Sequence, residues 1–190
     1  MLAHFTRLEN LDGILQHGIL PQLILPEDAV VNDESRWDGH PDASCLSISF
    51  PNYRMFCRLR HESPNADWVV LGLWPTVLWQ YDCAFCPQNA ATASVAATDL
   101  HDLRGPAALE RLFDEVPGKP TREAMRIPVN FPTDPQAEVL VFDTVAADMI
   151  VGIWVEDSDL QTSLAETYPD FDIRRNGKPF SYRGDWAHWK

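Results

Sequence analysis

Pro132-Thr133-Asp134-Pro135-Gln136-Ala137-Glu138 runs directly into Val139-Leu140-Val141-Phe142. Each proline fixes its own φ and biases the residue before it towards extended backbone. The apolar run after Glu138 has the length of a buried strand. The reading is a stiff polar loop that delivers one carboxylate, Glu138, to the entrance of a core strand. Scaffold then lies on one side of it and a cleft on the other, the way loops on rigid frameworks carry catalytic groups. The same residues also describe a plain turn before a strand whose first carboxylate is solvated. Spacing alone does not separate the two readings.

Upstream of that loop the chain mixes strands and helices without regular alternation. Ala3-His4-Phe5 reads as a short strand. Thr6-Arg7-Leu8-Glu9 has the form of a capping box, and Leu8, Leu11, Ile14 and Leu15 then share a helical face that Gly18 stops. Residues 20–44 read as a long polar loop and 116–135 as a second; loops of this length in a compact domain are usually functional. Leu46-Ser47-Ile48-Ser49-Phe50 alternates with period two. Pro51 suits the first turn of a helix that runs on from Tyr53 to Arg60. Strands are predicted at 68–73, 138–142, 151–155 and near 171–173. Helices are predicted at 75–80, 106–115 and 158–166, and an ordered loop at 87–98. This mixture points to an α+β fold.

A length of 190 residues suits a single domain, 1–190, with a sizeable core. No apolar stretch approaches the ~20 residues of a membrane span, and the N-terminus lacks a secretory pattern, so the cytoplasm is the expected compartment. The net charge of −13 argues against a broad phosphate-tracking surface but leaves room for a local basic patch. Cys83-Ala84-Phe85-Cys86 has no second ligand pair at zinc spacing and no helix behind it, so buried thiols are expected and no metal site. The P-loop, the dinucleotide Gly fingerprint, H-E-x-x-H and the G-x-S-x-G elbow are all absent.

Three segments stand together in order: Ala3-His4-Phe5-Thr6 with Asn10; Leu46-Ser47-Ile48-Ser49-Phe50-Pro51-Asn52-Tyr53-Arg54-Met55-Phe56; and Pro132 to Glu138 with its strand. In this order they resemble the DarT family of DNA ADP-ribosyltransferase toxins. Cys86-Pro87-Gln88-Asn89-Ala90-Ala91, with the serine-rich and Gln-Ala-Glu stretches, resembles the branch that modifies guanine rather than thymine. The resemblance spans about residues 3–155 and implies a split mixed β-sheet core with flanking helices and long active-site loops.

It also implies NAD⁺ as co-substrate and a base in single-stranded DNA as acceptor. Glu138 would steady an oxocarbenium-like transition state, as carboxylates do in glycosidases, and Arg54 would meet the NAD⁺ phosphates and aid the reaction. His4, Thr6, Asn10, Ser47, Ser49, Tyr53 and Arg54 would bind the cofactor, with Trp37 covering it. Gln136, Asn89, Arg122 and Arg126 would read the DNA. Each residue also has a plain reading as core, cap or solvated surface. The partners implied are single-stranded DNA and an antitoxin that removes ADP-ribose, of the NADAR type. RNA or protein as acceptor, or a silent NAD⁺- or partner-binding module, are the alternatives. The acidic composition departs from what a DNA-modifying enzyme leads one to expect.

Overall fold

β3 (Trp68–Leu73) lies near the middle of a seven-stranded sheet, where its uninterrupted apolar sequence can be buried on both faces. The computed structural model describes residues 1–32 and 37–190. The other strands are β1 (Leu2–Arg7), β2 (Ser44–Ile48), β4 (Cys83–Cys86), β5 (Glu138–Val141), β6 (Ile150–Val155) and β7 (Ile173–Arg175). Their order across the sheet is β4-β5-β2-β1-β3-β6-β7. Every pairing is antiparallel except β6 with β7, which makes the sheet mixed.

Alternation along the strands sends side chains to two faces. One face holds the larger core: Leu2, Leu46, Val69, Leu71, Val139, Val141 and Ile153. Against it pack α1 (Leu11–His17), α5 (Gly105–Arg111) and α6 (Ser158–Thr167) through Leu11, Ala108 and Leu164. The opposite face carries two separate clusters. α2 (Tyr53–Glu62) sets Phe56 and Leu59 on Ala3, Trp68 and Val70, while Ala84, Cys86 and Leu140 pack with Val95 of α4 (Ala93–Ala96). α3 (Val77–Gln80) follows β3 on the first face.

The gap between the two smaller clusters has a structural origin. β1 and β2 pair only through Leu2↔Ile48 and Ala3↔Ser47. Beyond those pairs β1 continues along β3, and β2 continues along β5. The sheet therefore splits next to His4, whose Nδ1 lies 3.0 Å from the Cys45 carbonyl oxygen and bridges the two halves.

Several sequence expectations are corrected at element ends. The capping box does not form: Thr6 and Arg7 stay in β1, paired with Val69 and Trp68, and a 3₁₀ turn at Leu8–Asn10 precedes α1. Arg7 spends its guanidinium over the Trp68 ring, 4.2 Å from the centroid. α2 begins at Tyr53, after Asn52 rather than at Pro51, because the Asn52 side chain accepts from the Met55 N–H. α4 occupies part of the expected loop at 87–98. Four residues of the long loop expected at 20–44 lie outside the described residues. Gly18 ends α1 as expected, with φ +85°; a Cβ there would sit 2.4 Å from the Val145 carbonyl oxygen. No helix among the described residues is long and apolar enough to cross a membrane.

Candidate active site

The split holds a cleft of about 660 Å³, inside the ~300–1,000 Å³ range of small-molecule and cofactor sites. Its walls come from β1, β2, the start of α2, the turn at Asn89 and the loop before β2. Glu138, the first residue of β5, lies on this wall and is 6% exposed.

Among the described residues, N–H donors of Asn52, Asn89 and Ala90 meet its carboxylate. Oε1 accepts from Asn52 Nδ2 at 3.2 Å and Asn89 Nδ2 at 3.0 Å; Oε2 accepts from the Ala90 backbone N–H at 2.9 Å. Each asparagine is itself held by its oxygen. Asn52 Oδ1 caps α2, and Asn89 Oδ1 accepts from the Ala91 N–H in an Asx turn. A backbone N–H must meet the amide oxygen, so the amide nitrogen must face Glu138, which settles the flip of both side chains. The carboxylate is thus positioned by two local turns whose helices sit in different clusters. Ser47 completes the arrangement, its Oγ accepting from the Asn52 N–H at 3.1 Å.

His4 stands at the split. A carbonyl oxygen can only accept, so Nδ1 carries the proton that meets Cys45 and Nε2 presents a lone pair. Burial pushes the imidazole pKa below its ordinary 6.5, against the smaller opposing effect of the hydrogen bond to Cys45. The ring is therefore neutral at physiological pH. Two buried side-chain atoms without a hydrogen-bond partner among the described residues, Gln22 Oε1 and Ser44 Oγ, belong to residues that line the same cleft. Buried unsatisfied groups are rare in folded proteins and call for a reason; polar groups kept ready for a polyhydroxylated ligand are one.

The far wall is the loop around residues 19–32. Asn10 clips it down like a β-bridge: Nδ2 donates to the Val30 carbonyl at 2.9 Å, and Oδ1 accepts from the Val30 N–H at 2.8 Å. Asn10 Nδ2 also donates to Thr6 Oγ1 at 2.9 Å. Among the described residues no group of three or more His, Cys, Asp or Glu side chains is arranged to hold a metal ion.

The sequence matches, over residues 3–186, the family described as ssDNA thymidine ADP-ribosyltransferase, DarT. The chain belongs to the DarT family. Its fold agrees with solved DarT structures. Thermus sp. 2.9 DarT in complex with ADP-ribosylated ssDNA superposes with a TM-score of 0.63 at 15% identity, covering 95% of each chain. The same protein in complex with NAD⁺ gives 0.60 at 15% identity, over 95% of this chain and 96% of that one. Thermosipho africanus DarTG in complex with ADP-ribose gives 0.66 at 16% identity, over 94% of this chain. The present chain spans 50% of that Thermosipho chain. No curated protein matches. The α+β split sheet expected from the resemblance is therefore the DarT ADP-ribosyltransferase fold. The family's description names thymidine as the base, where the sequence motifs had suggested guanine.

Against this DarT frame, His4, Thr6, Asn10, Ser47, Asn89 and Glu138 all line the cleft. The other predicted residues do not. Ser49 lies past the end of β2 with φ +65°, so it leaves the face of Ser47; its Oγ donates to the Asn130 carbonyl at 2.7 Å. Tyr53 and Arg54 follow Asn52 around the first turn of α2, where the 100° step carries them off the cleft, and Met55 returns to it. Gln136 sits in a turn, not on an extended segment: the Ala137 N–H meets the Asp134 carbonyl at 3.2 Å, and the Gln136 N–H meets Asp134 Oδ1 at 2.8 Å. Its side chain accordingly does not share the wall with Glu138.

Arg122 is a staple of its own loop. It donates to Thr133 Oγ1 at 2.6 Å and to the carbonyls of Phe131 and Pro128 at 2.9 and 3.1 Å, leaving little of the fork for DNA phosphates. Arg126 is exposed with φ +56° and lies outside the cleft wall. Trp37 is 79% exposed and does not cover the cleft. Cys83 and Cys86 are buried in cores on opposite faces of the sheet, and burial pushes both thiols up to about 12, so they act as packing groups.

Sequence reasoning did not assign a role to Asn52, Ala90 or the Cys45 carbonyl. An asparagine just before a helix is a readable cap. That its second amide atom serves a residue 86 positions away is not.

Proposed function

We propose that this DarT-family chain transfers ADP-ribose from NAD⁺ to guanine in single-stranded DNA, with Glu138 as the catalytic carboxylate. One observation carries the assignment of the site: a carboxylate that accepts from Asn52, Asn89 and Ala90 on the wall of a cofactor-sized cleft where the sheet splits. In the reaction the bond between ribose C1′ and the nicotinamide nitrogen breaks. Its electron pair leaves with nicotinamide and neutralises the pyridinium charge. The acceptor nitrogen then forms the new bond to C1′, and its proton passes to a base.

The electron-poor ribose needs a fixed negative charge, and a charge already oriented by protein donors needs no reorganisation when the transition state forms. Glu138 supplies that charge, holds a ribose hydroxyl and takes the acceptor's proton. His4 accepts a ribose hydroxyl through Nε2. Ser44 and Ser47 contribute hydroxyls to the nicotinamide half. Asn52 and Asn89 are positioning residues, since they act through Glu138. Asn10 and Thr6 hold the covering loop. The choice of guanine rests on the Gln88-Asn89-Ala90-Ala91 and serine-rich stretches; thymine is the second reading, favoured by the description of the family. We place the activity in a toxin–antitoxin pair, with an ADP-ribose-removing partner of the NADAR type.

The test incubates the protein with labelled NAD⁺ and single-stranded oligonucleotides lacking one base at a time, then identifies modified nucleosides by mass spectrometry. ADP-ribosyl-guanosine in the parent, formed about 10²–10³-fold more slowly by Glu138→Gln, is the expected result. Label confined to thymidine would replace the base assignment. Label on no oligonucleotide would remove DNA as acceptor.

A further inference from the structure

Tyr182 is 59% exposed and Trp186 is 41% exposed, yet both rings are held in place. They stack on each other with centroids 5.4 Å apart and planes tilted by 35°. Tyr182 also meets the edge of Tyr53 at 5.7 Å, and Tyr53 directly follows Asn52, the donor to Glu138. The row of rings thus starts one residue from the cleft wall.

What fixes the row is a buried ion pair. Arg183 and Asp185, 4% and 5% exposed, lie between the two exposed rings in sequence. Arg183 Nε and Nη2 each donate to Asp185 at 2.6 Å. Arg183 also donates to the Pro132 carbonyl at 2.9 Å and the Thr133 carbonyl at 2.7 Å, in the loop that leads to Glu138. Asp185 accepts from Trp189 Nε1 at 2.7 Å. Contiguous exposed apolar surface marks interaction sites whereas scattered single groups do not, and Tyr182 and Trp186 adjoin each other; rings locked by buried charges lose little freedom on binding.

Local charge favours an anionic strand although the whole chain is acidic. Among the described residues, the charged groups that act on Tyr53 are Asp185, Arg183, Arg54 and Asp134, and of these Arg54 is the exposed one. Lys190, also exposed, sits 4.5 Å from the Trp186 ring centroid. The shelf therefore presents π faces and cations and turns its acids inward.

We propose that Tyr182 and Trp186 form a stacking shelf for nucleotides that flank the target base of a single strand, with Arg54 and Lys190 facing its phosphates. This rests on the reading of the chain as an enzyme acting on single-stranded DNA. It also accounts for Arg54 lying off the cleft. A shelf of this kind tolerates any sequence, because every base has a π face.

The experiment measures two quantities for the parent, Tyr182→Ala, Trp186→Ala and Tyr182→Phe: transfer of label from NAD⁺ to oligonucleotides of three and of twelve nucleotides, and fluorescence-anisotropy binding of the twelve-mer in a Glu138→Gln background. Each alanine variant is expected to weaken twelve-mer binding and raise its KM about 5- to 150-fold, the range that one stacked base sets. The three-mer, the KM for NAD⁺ and kcat stay at parent values. Tyr182→Phe keeps the π face and behaves as the parent. A parent that labels both oligonucleotides while the alanine variants bind and label the twelve-mer equally well overturns the shelf alone. A parent that labels neither defeats the DNA reading, and absent twelve-mer binding defeats the shelf with it. An equal loss on both lengths overturns it too, because that pattern belongs to a structural defect.

Discussion

Two regions hold Glu138 in place, and they are built on opposite principles. Among the described residues, the cage around its carboxylate includes Asn52, Asn89 and Ala90, each within a turn that closes within three residues. The support behind its loop is a clamp in which Arg183 reaches back 50 and 51 positions to Thr133 and Pro132. The cage's described donors are neutral amides at the edge of a solvent-facing cleft. The clamp uses full charges buried away from water. Neutral donors orient a charge with little desolvation cost of their own, whereas a buried ion pair is tolerated only while both members are present. The cage therefore tunes chemistry, and the clamp keeps the loop and tail folded together. Substitutions should separate the two roles.

The largest effect is expected from breaking the clamp. Arg183→Met leaves Asp185 buried without its counter-charge and should cost about 3–5 kcal/mol of stability. Burial alone pushes the Asp185 carboxyl up, but Arg183 and Trp189 overcome this and hold it below its ordinary 3.8. Urea unfolding measures the loss, and Arg183→Met with Asp185→Leu should recover most of it. A single variant as stable as the parent would show that the tail does not brace the loop. Next comes the cage's occupant. Glu138→Gln should lower kcat by about 10²–10³-fold, the scale of one preorganised electrostatic group, while NAD⁺ still raises the melting temperature. If stability collapses instead, the carboxylate is a structural member of the cage and the comparison fails.

This contrast also governs how much could be read from sequence. The position of Glu138 was legible because two prolines and an apolar run are local signals, and the strands at Trp68–Leu73 and Ile150–Val155 were legible for the same reason. Ser49 was misread because alternation assumes that the strand continues, and a contact with Asn130, 81 positions away, accompanies its turn out of line. Gln136 was misread because Asp134 closes a turn that proline spacing alone does not announce. Arg122 looks like any cation near a substrate loop; only the carbonyls around it reveal a staple. Arg183 and Asp185 are two positions apart, but the clamp's grip on Pro132 and Thr133 left no local trace, since those partners lie 51 and 50 positions away. The stop at Gly18 was legible because it is local, whereas the cap at Asn52 and the tail were missed.

Within the cage the two asparagines should differ in kind. Asn52→Ala removes a helix cap as well as a donor to Glu138, so about 1 kcal/mol of stability goes with it. Asn89→Ala removes an Asx turn and the same type of donor but leaves α2 capped. Both should reduce kcat about 10-fold, the value of one hydrogen bond to a charged group, with KM for NAD⁺ nearly unchanged. Steady-state kinetics beside thermal melts make the distinction. Equal stability losses with no change in kcat would move both residues out of the positioning role.

The smallest effect concerns the bridge between the halves of the sheet. His4 is neutral in the fold because burial lowers its pKa, while the unfolded chain titrates near 6.5. Between the lowered value and 6.5 the unfolded state binds more protons than the native one, so stability rises with pH in that window and is lost as pH falls from about 6.5. A stability difference between the parent and His4→Gln isolates this from every carboxylate, since those titrate alike in both proteins. The difference should shrink by up to about 1.4 kcal/mol for each pH unit below 6.5 until the folded-state pKa is passed. The glutamine amide can still donate to the Cys45 carbonyl, so the split should remain bridged above that pH. A difference that stays constant from pH 7 to pH 5 would mean that the ring titrates in the fold as it does in the unfolded chain, so that burial does not keep the lone pair at Nε2 ready for a ribose hydroxyl below that pH.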